Sequence, residues 1–326
     1  MNIHTSPIFK DAIEAASEAL RLRPVFIEKD YWVTQILQNL SRSRFVDKVV
    51  FKGGTSLSKA YNCIKRFSED VDLAVIPESG LSQEKIKTLL REIEKSITAG
   101  ITPSEDKANN KRYGRNRTTY FDYPKIFQTN SVGPIKEQVA VELNTFTNPV
   151  PHQMIPIQSY LTEFFRATNR FDLIASFDMD LFPVNVLMLE RTFFEKLLSI
   201  NRLSYEGPDK LKEKIRHFYD LHELYHKTPL HATIFEPANY KILSLVLKDD
   251  HSIATFDGPW KNKHLIESPL FNDLESTWSS LTPTYGAELS ELIWEGKLPE
   301  PQRVLEVLQL AKNFLQGFSE TEGKVP

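Results

Sequence analysis

Asp70 and Asp72 flank Val71 in the run Asp-Val-Asp-Leu-Ala-Val. The apolar positions of this run suit a strand, and residues i and i+2 of a strand share a face, so the two carboxylates project together. Side by side they repel unless a cation joins them. Oxygen donors favour a hard divalent ion, Mg²⁺ or Mn²⁺, over zinc. Upstream, Val49, Val50 and Phe51 form an apolar run that stops at Gly53-Gly54 and is followed by Thr55 and Ser56. This reads as a buried strand, a tight turn and a helix start with hydroxyls at its mouth. Leu57, Ala60, Tyr61 and Ile64 recur at helical spacing, which carries that helix past Cys63. Its positive end and unpaired N–H groups form an anion cradle, with Gly53, Gly54, Thr55 and Ser56 as phosphate-binding candidates and Lys59 beyond them.

A phosphate beside metal-bridged carboxylates points to phosphoryl or nucleotidyl transfer, with an NTP as substrate. The plain alternative is a glycine turn followed by a solvated acidic strand edge. The glycines are adjacent and no G-x-x-x-x-G-K-[ST] pattern is present, so this is not a P-loop.

Further groups stand elsewhere in the chain. Glu142 lies between Val141 and Leu143 in a second strand pattern, where it supplies a third carboxylate if that strand neighbours the first, and otherwise sits on a solvated face. A two-metal site would use it. Thr192 and Lys196 share one face of a helix over 188–200, and Arg216 and Asp220 stand at i and i+4 in a helix over 210–225. Lys196 reads as a triphosphate contact or a solvated lysine, Asp220 as an active-site carboxylate or half of an intrahelical ion pair. The stretch 107–117, KANNKRYGRNR, is basic and leads into aromatic strand residues. It suits a nucleic-acid backbone, or equally an exposed hairpin turn. His222, Glu223 and His226 fit H-E-x-x-H, the helical pattern of zinc peptidases, but no third ligand is evident downstream. A zinc metalloprotease is therefore the competing enzyme reading. An NTP-binding or GTP-binding interaction module without transfer competes from outside enzymology.

The elements that must position these groups are helices over 12–22 and 25–40, the central strand-helix-strand unit over 49–75, a helix over 83–97, and strands over 118–123 and 138–143. Glu28-Lys29-Asp30-Tyr31-Trp32 lies in the second helix and reads as a charged face backed by aromatic core. Past Pro149-Val150-Pro151 the pattern turns helical, which sets the expected division: a nucleotide-handling core with a helical cover over 1–150, and a mainly helical domain over 151–326. Helices are expected over 237–247, 270–281, 289–294 and 304–318, with Trp260, Trp278 and Trp294 in the core. The chain has 326 residues, 41% hydrophobic and 25% charged, with a formal charge of -3. These values fit an ordinary globular protein and exclude a globally basic nucleic-acid binder. The single cysteine, Cys63, excludes an internal disulfide and a cysteine zinc cluster. No signal-peptide pattern or transmembrane-length apolar run is read in the chain, so cytoplasmic residence is the expectation.

GGTSLSKAY (Gly53 to Tyr61), RFSEDVDL (Arg66 to Leu73), TFFEKL (Thr192 to Leu197) and RHFYDL (Arg216 to Leu221), together with EKDYW at Glu28, resemble the motifs of the AbiEii/AbiGii family of nucleotidyltransferase toxins from abortive-infection, type IV toxin–antitoxin systems. That resemblance implies an α+β fold with a polymerase-β-like nucleotidyltransferase core and a C-terminal helical domain. It also implies Mg²⁺, an NTP donor and an antitoxin partner. Mycobacterial relatives in the broader family transfer nucleotides to tRNA acceptor ends, which makes tRNA or other RNA the expected acceptor. Carried over by motif, Gly54 and Thr55 hold phosphate, Asp70 and Asp72 metal, Lys196 the triphosphate, and Asp220 the catalytic role of the fourth motif. The fifteen residues between Gly54 and Asp70 exceed the general spacing and imply an extra helical turn.

Overall fold

The computed structural model describes residues 2–68, 70–105, 110–127 and 138–318. Glu69 of the second motif and Lys107, Ala108 and Asn109 of the basic stretch lie outside the described residues. The chain divides into two compact units, Met1–Asn62 with Phe67–Leu187, and Cys63–Arg66 with Met188–Pro326. The division expected at 150 therefore falls inside the first unit.

The first unit is built on a mixed sheet. Its strands are β1 (Val49–Lys52), β2 (Val71–Val75), β3 (Thr102–Pro103), β4 (Lys111–Tyr113), β5 (Asn116–Asp122), β6 (Val139–Asn144), β7 (His152–Ile157) and β8 (Phe182–Leu187). They run in the order β3-β5-β6-β2-β1-β8-β7, with β4 paired to β5 as a hairpin. β1 pairs antiparallel with β2, while β2–β6 and β1–β8 are parallel. Its helices are α1 (Phe9–Leu20), α2 (Pro24–Ser41), α3 (Gly53–Lys59), α4 (Gln83–Ile97), α5 (Tyr160–Ala167) and α6 (Phe171–Ser176). Pro24 opens α2 at its first turn, where a missing N–H costs nothing. Ser82 caps α4 by accepting from the Lys85 N–H.

Two expectations change in this unit. β7 and β8 follow the proline step that was read as the start of a helical domain. Phe182, Val184 and Val186 are buried along β8, an alternation that the surrounding helical pattern obscures. The helix after Gly53 ends at Lys59, before Cys63, and Asn62 takes a left-handed conformation at φ 49°, which asparagine tolerates better than most residues. The long spacing to Asp70 is thus non-helical chain, and Cys63 to Arg66 belong to the other unit.

The second unit is helical: α7 (Leu189–Leu203), α8 (Pro208–Lys212), α9 (Ile215–His226), α10 (Tyr240–Ser252), α11 (Pro269–Asn272), α12 (Leu274–Leu292) and α13 (Pro301–Gln316). The helix expected over 210–225 is two, broken at Glu213-Lys214. Conversely, α12 runs through Pro283, where the sequence suggested a break. Trp278, Leu281, Tyr285, Leu289 and Leu292 are buried at spacings of three and four, so one continuous apolar stripe outweighs the lost hydrogen bond. Trp260 and Trp278 are core residues, whereas Trp294 is half-buried. Among the described residues no helix is long and apolar enough to cross a membrane.

Candidate active site

Asp70 immediately precedes β2 and Asp72 lies within it, on either side of the fully buried Val71. Both aspartates are half-exposed and share the face opposite Val71. In the strand register Asp72 stands beside Glu142 of β6 on one side and Lys52 of β1 on the other, and Glu142 stands beside Thr118 of β5. Directly opposed residues share a face. A half-exposed row, Lys52, Asp72, Glu142 and Thr118, therefore crosses four strands. The strand of Glu142 neighbours that of Asp72, which is the condition the third-carboxylate expectation set. Lys52 was missed. Its signal was its place directly before Gly53-Gly54, at the end of an otherwise apolar run.

The turn and the carboxylates meet at Gly53. Its φ is 78°, and a Cβ there would land on Asp72 Oδ2 and lie 2.9 Å from Asp72 Cγ. A left-handed backbone with a carboxylate against its α-carbon admits glycine and little else. The hydroxyls that follow do something other than greet a ligand. Thr55, buried, donates to the Asp70 carbonyl oxygen at 2.6 Å and lies 3.0 Å from Ser68 Oγ. Ser56, also buried, donates to the Gly53 carbonyl at 2.9 Å. Thr55 thus fixes the backbone of the first aspartate, and Ser56 fixes the turn. Lys59 is a buried ion-pair partner of Asp30, with Nζ 2.5 Å from Oδ1, and the Tyr160 N–H donates to Asp30 Oδ2 at 2.8 Å.

The charged face expected around Glu28 is interior. Glu28, Lys29 and Asp30 are all buried. The Glu28 carboxylate accepts from the N–H groups of Ile126 at 2.7 Å and Phe127 at 3.1 Å. Burial pushes its carboxyl up, and those two N–H groups oppose the shift.

In the second unit Lys196 of α7 and Asp220 of α9 are in contact. Arg66 clamps Asp220 bidentately, Nε to Oδ1 and Nη2 to Oδ2, both at 2.7 Å, and Lys196 Nζ lies 2.7 Å from Oδ2. All three side chains are buried. Burial alone raises the Asp220 carboxyl; Arg66 and Lys196 more than reverse it, holding the group well below the usual carboxylate range. Lys196 is therefore a buried partner of Asp220 and not a solvated lysine, and Asp220 is ion-paired to Arg66 of a different segment as well as to Lys196. His217, on α9 with Asp220, is kept neutral by burial first and then by the Lys196 charge, which push its pKa well below the ordinary value. Burial, with Asp220 next, pushes the Cys63 thiol up to about 12.

The two candidate donor sets differ in what they offer a metal. Among the described residues no three His, Cys, Asp or Glu side chains are grouped so as to hold a metal ion. For H-E-x-x-H this is a mismatch: His222 Nδ1 lies 2.9 Å from Glu223 Oε1 and its ring packs on His226 at 4.5 Å, an arrangement of packed side chains. Asp70 and Asp72, half-exposed on one face of the strand, are two oxygen donors, the number that Mg²⁺ takes from a protein beside substrate phosphates.

Comparison with known proteins adds the following. The family model described as nucleotidyl transferase AbiEii toxin, type IV TA system, matches residues 35–301. Among curated proteins no match is found. The solved structure of MenT4, a nucleotidyltransferase toxin from Mycobacterium tuberculosis H37Rv, is similar over 91% of this chain and 85% of its own, with a TM-score of 0.55 and 16% identity. That likeness is one of fold, and it agrees with the α+β architecture described above.

Proposed function

This chain belongs to the AbiEii family of nucleotidyl transferase toxins of type IV toxin–antitoxin systems, and from that premise we propose that it transfers a nucleoside monophosphate from an NTP to a hydroxyl of RNA, tRNA foremost, in the cytoplasm. The acceptor oxygen forms a bond to the α-phosphorus, the bond from that phosphorus to the β-phosphate bridging oxygen breaks, pyrophosphate leaves, and the hydroxyl proton passes to solvent or a neighbouring base. The observation that carries the reading is the placement of Asp72 against Gly53, with Asp70 on the same face. It brings a backbone turn suited to phosphate and a carboxylate pair to one point.

Asp70 and Asp72, with Glu142 in register, are the residues that would hold Mg²⁺ or Mn²⁺, which when bound neutralises charge on the α-phosphate and the departing pyrophosphate. The protein's own part is positioning. Thr55 fixes the Asp70 backbone, the buried Val71 keeps both carboxylates facing outward, and the N–H groups at Gly53 and Gly54 offer donors to phosphate oxygens. A cognate antitoxin protein is the partner that the type IV family implies.

The test is incubation of purified protein with Mg²⁺, each α-³²P-labelled NTP and total tRNA, comparing wild type with Asp70→Asn on a denaturing gel. Label on RNA with wild type alone is the expected result. Full activity in Asp70→Asn overturns the metal assignment, and label confined to protein overturns the RNA acceptor.

A further inference from the structure

The half-exposed row across the sheet of the first unit has a direction. On one side of Asp72 stands Lys52 of β1, and on the other stand Glu142 of β6 and then Thr118 of β5. A cation therefore lies on one flank of the aspartates, and a carboxylate and a hydroxyl on the other. Neighbouring strands are about 4.8 Å apart, which sets β1 and β6 roughly 10 Å from each other with β2 between them. Displacement at phosphorus needs its entering and leaving oxygens roughly in line. As the bond to the leaving oxygen breaks, the electron pair stays on that oxygen and negative charge accumulates on pyrophosphate. The cationic flank suits the departing pyrophosphate, and the far flank suits the acceptor hydroxyl.

The Asp72 side chain takes the same direction. Its carboxylate lies against Gly53, the residue after Lys52, where a Cβ would be 2.9 Å from Asp72 Cγ. It thus leans toward β1 and away from Glu142 on β6. Asp72, the Gly53-Gly54 turn and Lys52 share one corner of the sheet.

The other lysines near this turn already have carboxylate partners. Lys59 Nζ is buried 2.5 Å from Asp30 Oδ1, and Lys48 Nζ lies 2.6 Å from Glu78 Oε1. Lys196, in the second unit, has its Nζ 2.7 Å from Asp220 Oδ2. Lys52 is half-exposed on the aspartate face itself. Its ammonium is a compact charge with rotatable donors on a flexible stem, which suits phosphate oxygens whose positions change as a bond breaks. The competing use of a lysine in this register is as a cross-strand partner of Asp72. The two uses differ in what removal of the ammonium weakens.

We propose that Lys52 is a catalytic residue whose ammonium contacts the β- and γ-phosphates of the NTP and offsets the charge of the departing pyrophosphate. The inference rests on the reading that this face transfers a nucleotide from an NTP. Its test needs no transfer: inorganic pyrophosphate is titrated by calorimetry into wild type, Lys52→Met, Lys52→Gln and Lys52→Arg, at subsaturating and saturating Mg²⁺. Lys48→Met, which loses the same charge a few positions upstream, is the comparison. At saturating Mg²⁺ the affinity is expected to fall at least about tenfold in Lys52→Met and Lys52→Gln, as loss of a charge-assisted hydrogen bond requires. Lys52→Arg, which keeps charge and donors, should stay within about threefold of wild type, and Lys48→Met should match it. Affinities for the nucleoside monophosphates AMP, CMP, GMP and UMP, which lack the departing phosphates, should not change. Lys52→Gln keeps a polar head, so a folding defect confined to Lys52→Met leaves the comparison intact. Unchanged pyrophosphate affinity in folded Lys52→Gln overturns the proposal, as does an equal loss in Lys48→Met, which would make the effect one of net charge. A loss seen only below saturating Mg²⁺ also overturns it and makes Lys52 a partner of Asp72 alone. The two readings fail separately. Transfer to RNA by a protein whose pyrophosphate affinity ignores Lys52 sinks only this inference, whereas Lys52-dependent pyrophosphate binding without transfer keeps the contact and sinks the proposed reaction.

Discussion

The Asp72 carboxylate lies against the α-carbon of Gly53, in the space that any side chain at position 53 would need. The contact couples two motifs nineteen positions apart in sequence, and it makes Gly53→Ala a probe of Asp72. The substitution adds strain of about 1–2 kcal/mol for a left-handed alanine, which denaturant unfolding would register. It also drives the carboxylate from its place. Transfer activity should therefore fall by far more than the stability loss explains.

The central unit was legible because its signals are local. A short apolar run, two glycines, two hydroxyls and an aspartate pair at i, i+2 all lie within 49–75, and β1, α3 and β2 form there. What the sequence concealed was partnership across long separations. Thr55 and Ser56 look like ligand hydroxyls until Asp70 and Gly53 are seen to receive them. Lys59 looks like a phosphate contact until Asp30, twenty-nine residues away, occupies it. β8 was hidden for a related reason: its value lies in parallel pairing with β1, and no periodicity announces a partner 135 positions distant. Arg66 was quoted only as part of a motif, although it proves to be the principal clamp on Asp220.

Lys59→Met separates a structural lysine from a nucleotide-binding one. Removing the ammonium leaves the buried Asp30 carboxylate with the Tyr160 N–H but without its cation, a change that typically costs about 3–5 kcal/mol. Chemical unfolding should show a loss of that order, while the KM for NTP of the folded fraction stays near wild type. Replacing both partners, Asp30→Leu with Lys59→Met, should recover part of the loss because no buried charge is stranded. A selective rise in KM with stability intact would return Lys59 to the nucleotide.

Glu142→Gln is expected to weaken transfer less than Asp72→Asn. Glu142 stands in register with Asp72, but the described residues form no three-carboxylate metal cage. Two aspartates with substrate phosphates already provide the usual ligation of Mg²⁺. The measurement is kcat as a function of Mg²⁺ concentration for both variants. Activity in Glu142→Gln that recovers at high Mg²⁺, beside a dead Asp72→Asn, is the predicted pattern, and equal inactivation would make Glu142 a full ligand.

Asp220 is predicted to matter more to stability than either cation that holds it. Among the described residues Asp220 is held by two cations, Arg66 and Lys196. Lys196→Met leaves the bidentate Arg66–Asp220 pair in place, whereas Asp220→Ala removes the buried carboxylate that both cations share, at a cost on the order of 3–5 kcal/mol. The carboxyl is held below its unfolded value, so its contribution is fully present above the unfolded pKa near 4 and is lost as pH falls through the lower folded value. Denaturant unfolding of wild type and Asp220→Asn at pH 7 and pH 3 should show a smaller gap at the acid pH, because the unfolded wild-type carboxyl is by then largely protonated. A gap that widens at low pH would contradict the depressed carboxyl. KM for NTP in the folded Lys196→Met protein supplies the second readout. A rise there would give Lys196 the triphosphate role that the family resemblance implies, and an unchanged KM would leave it as a partner of Asp220 alone.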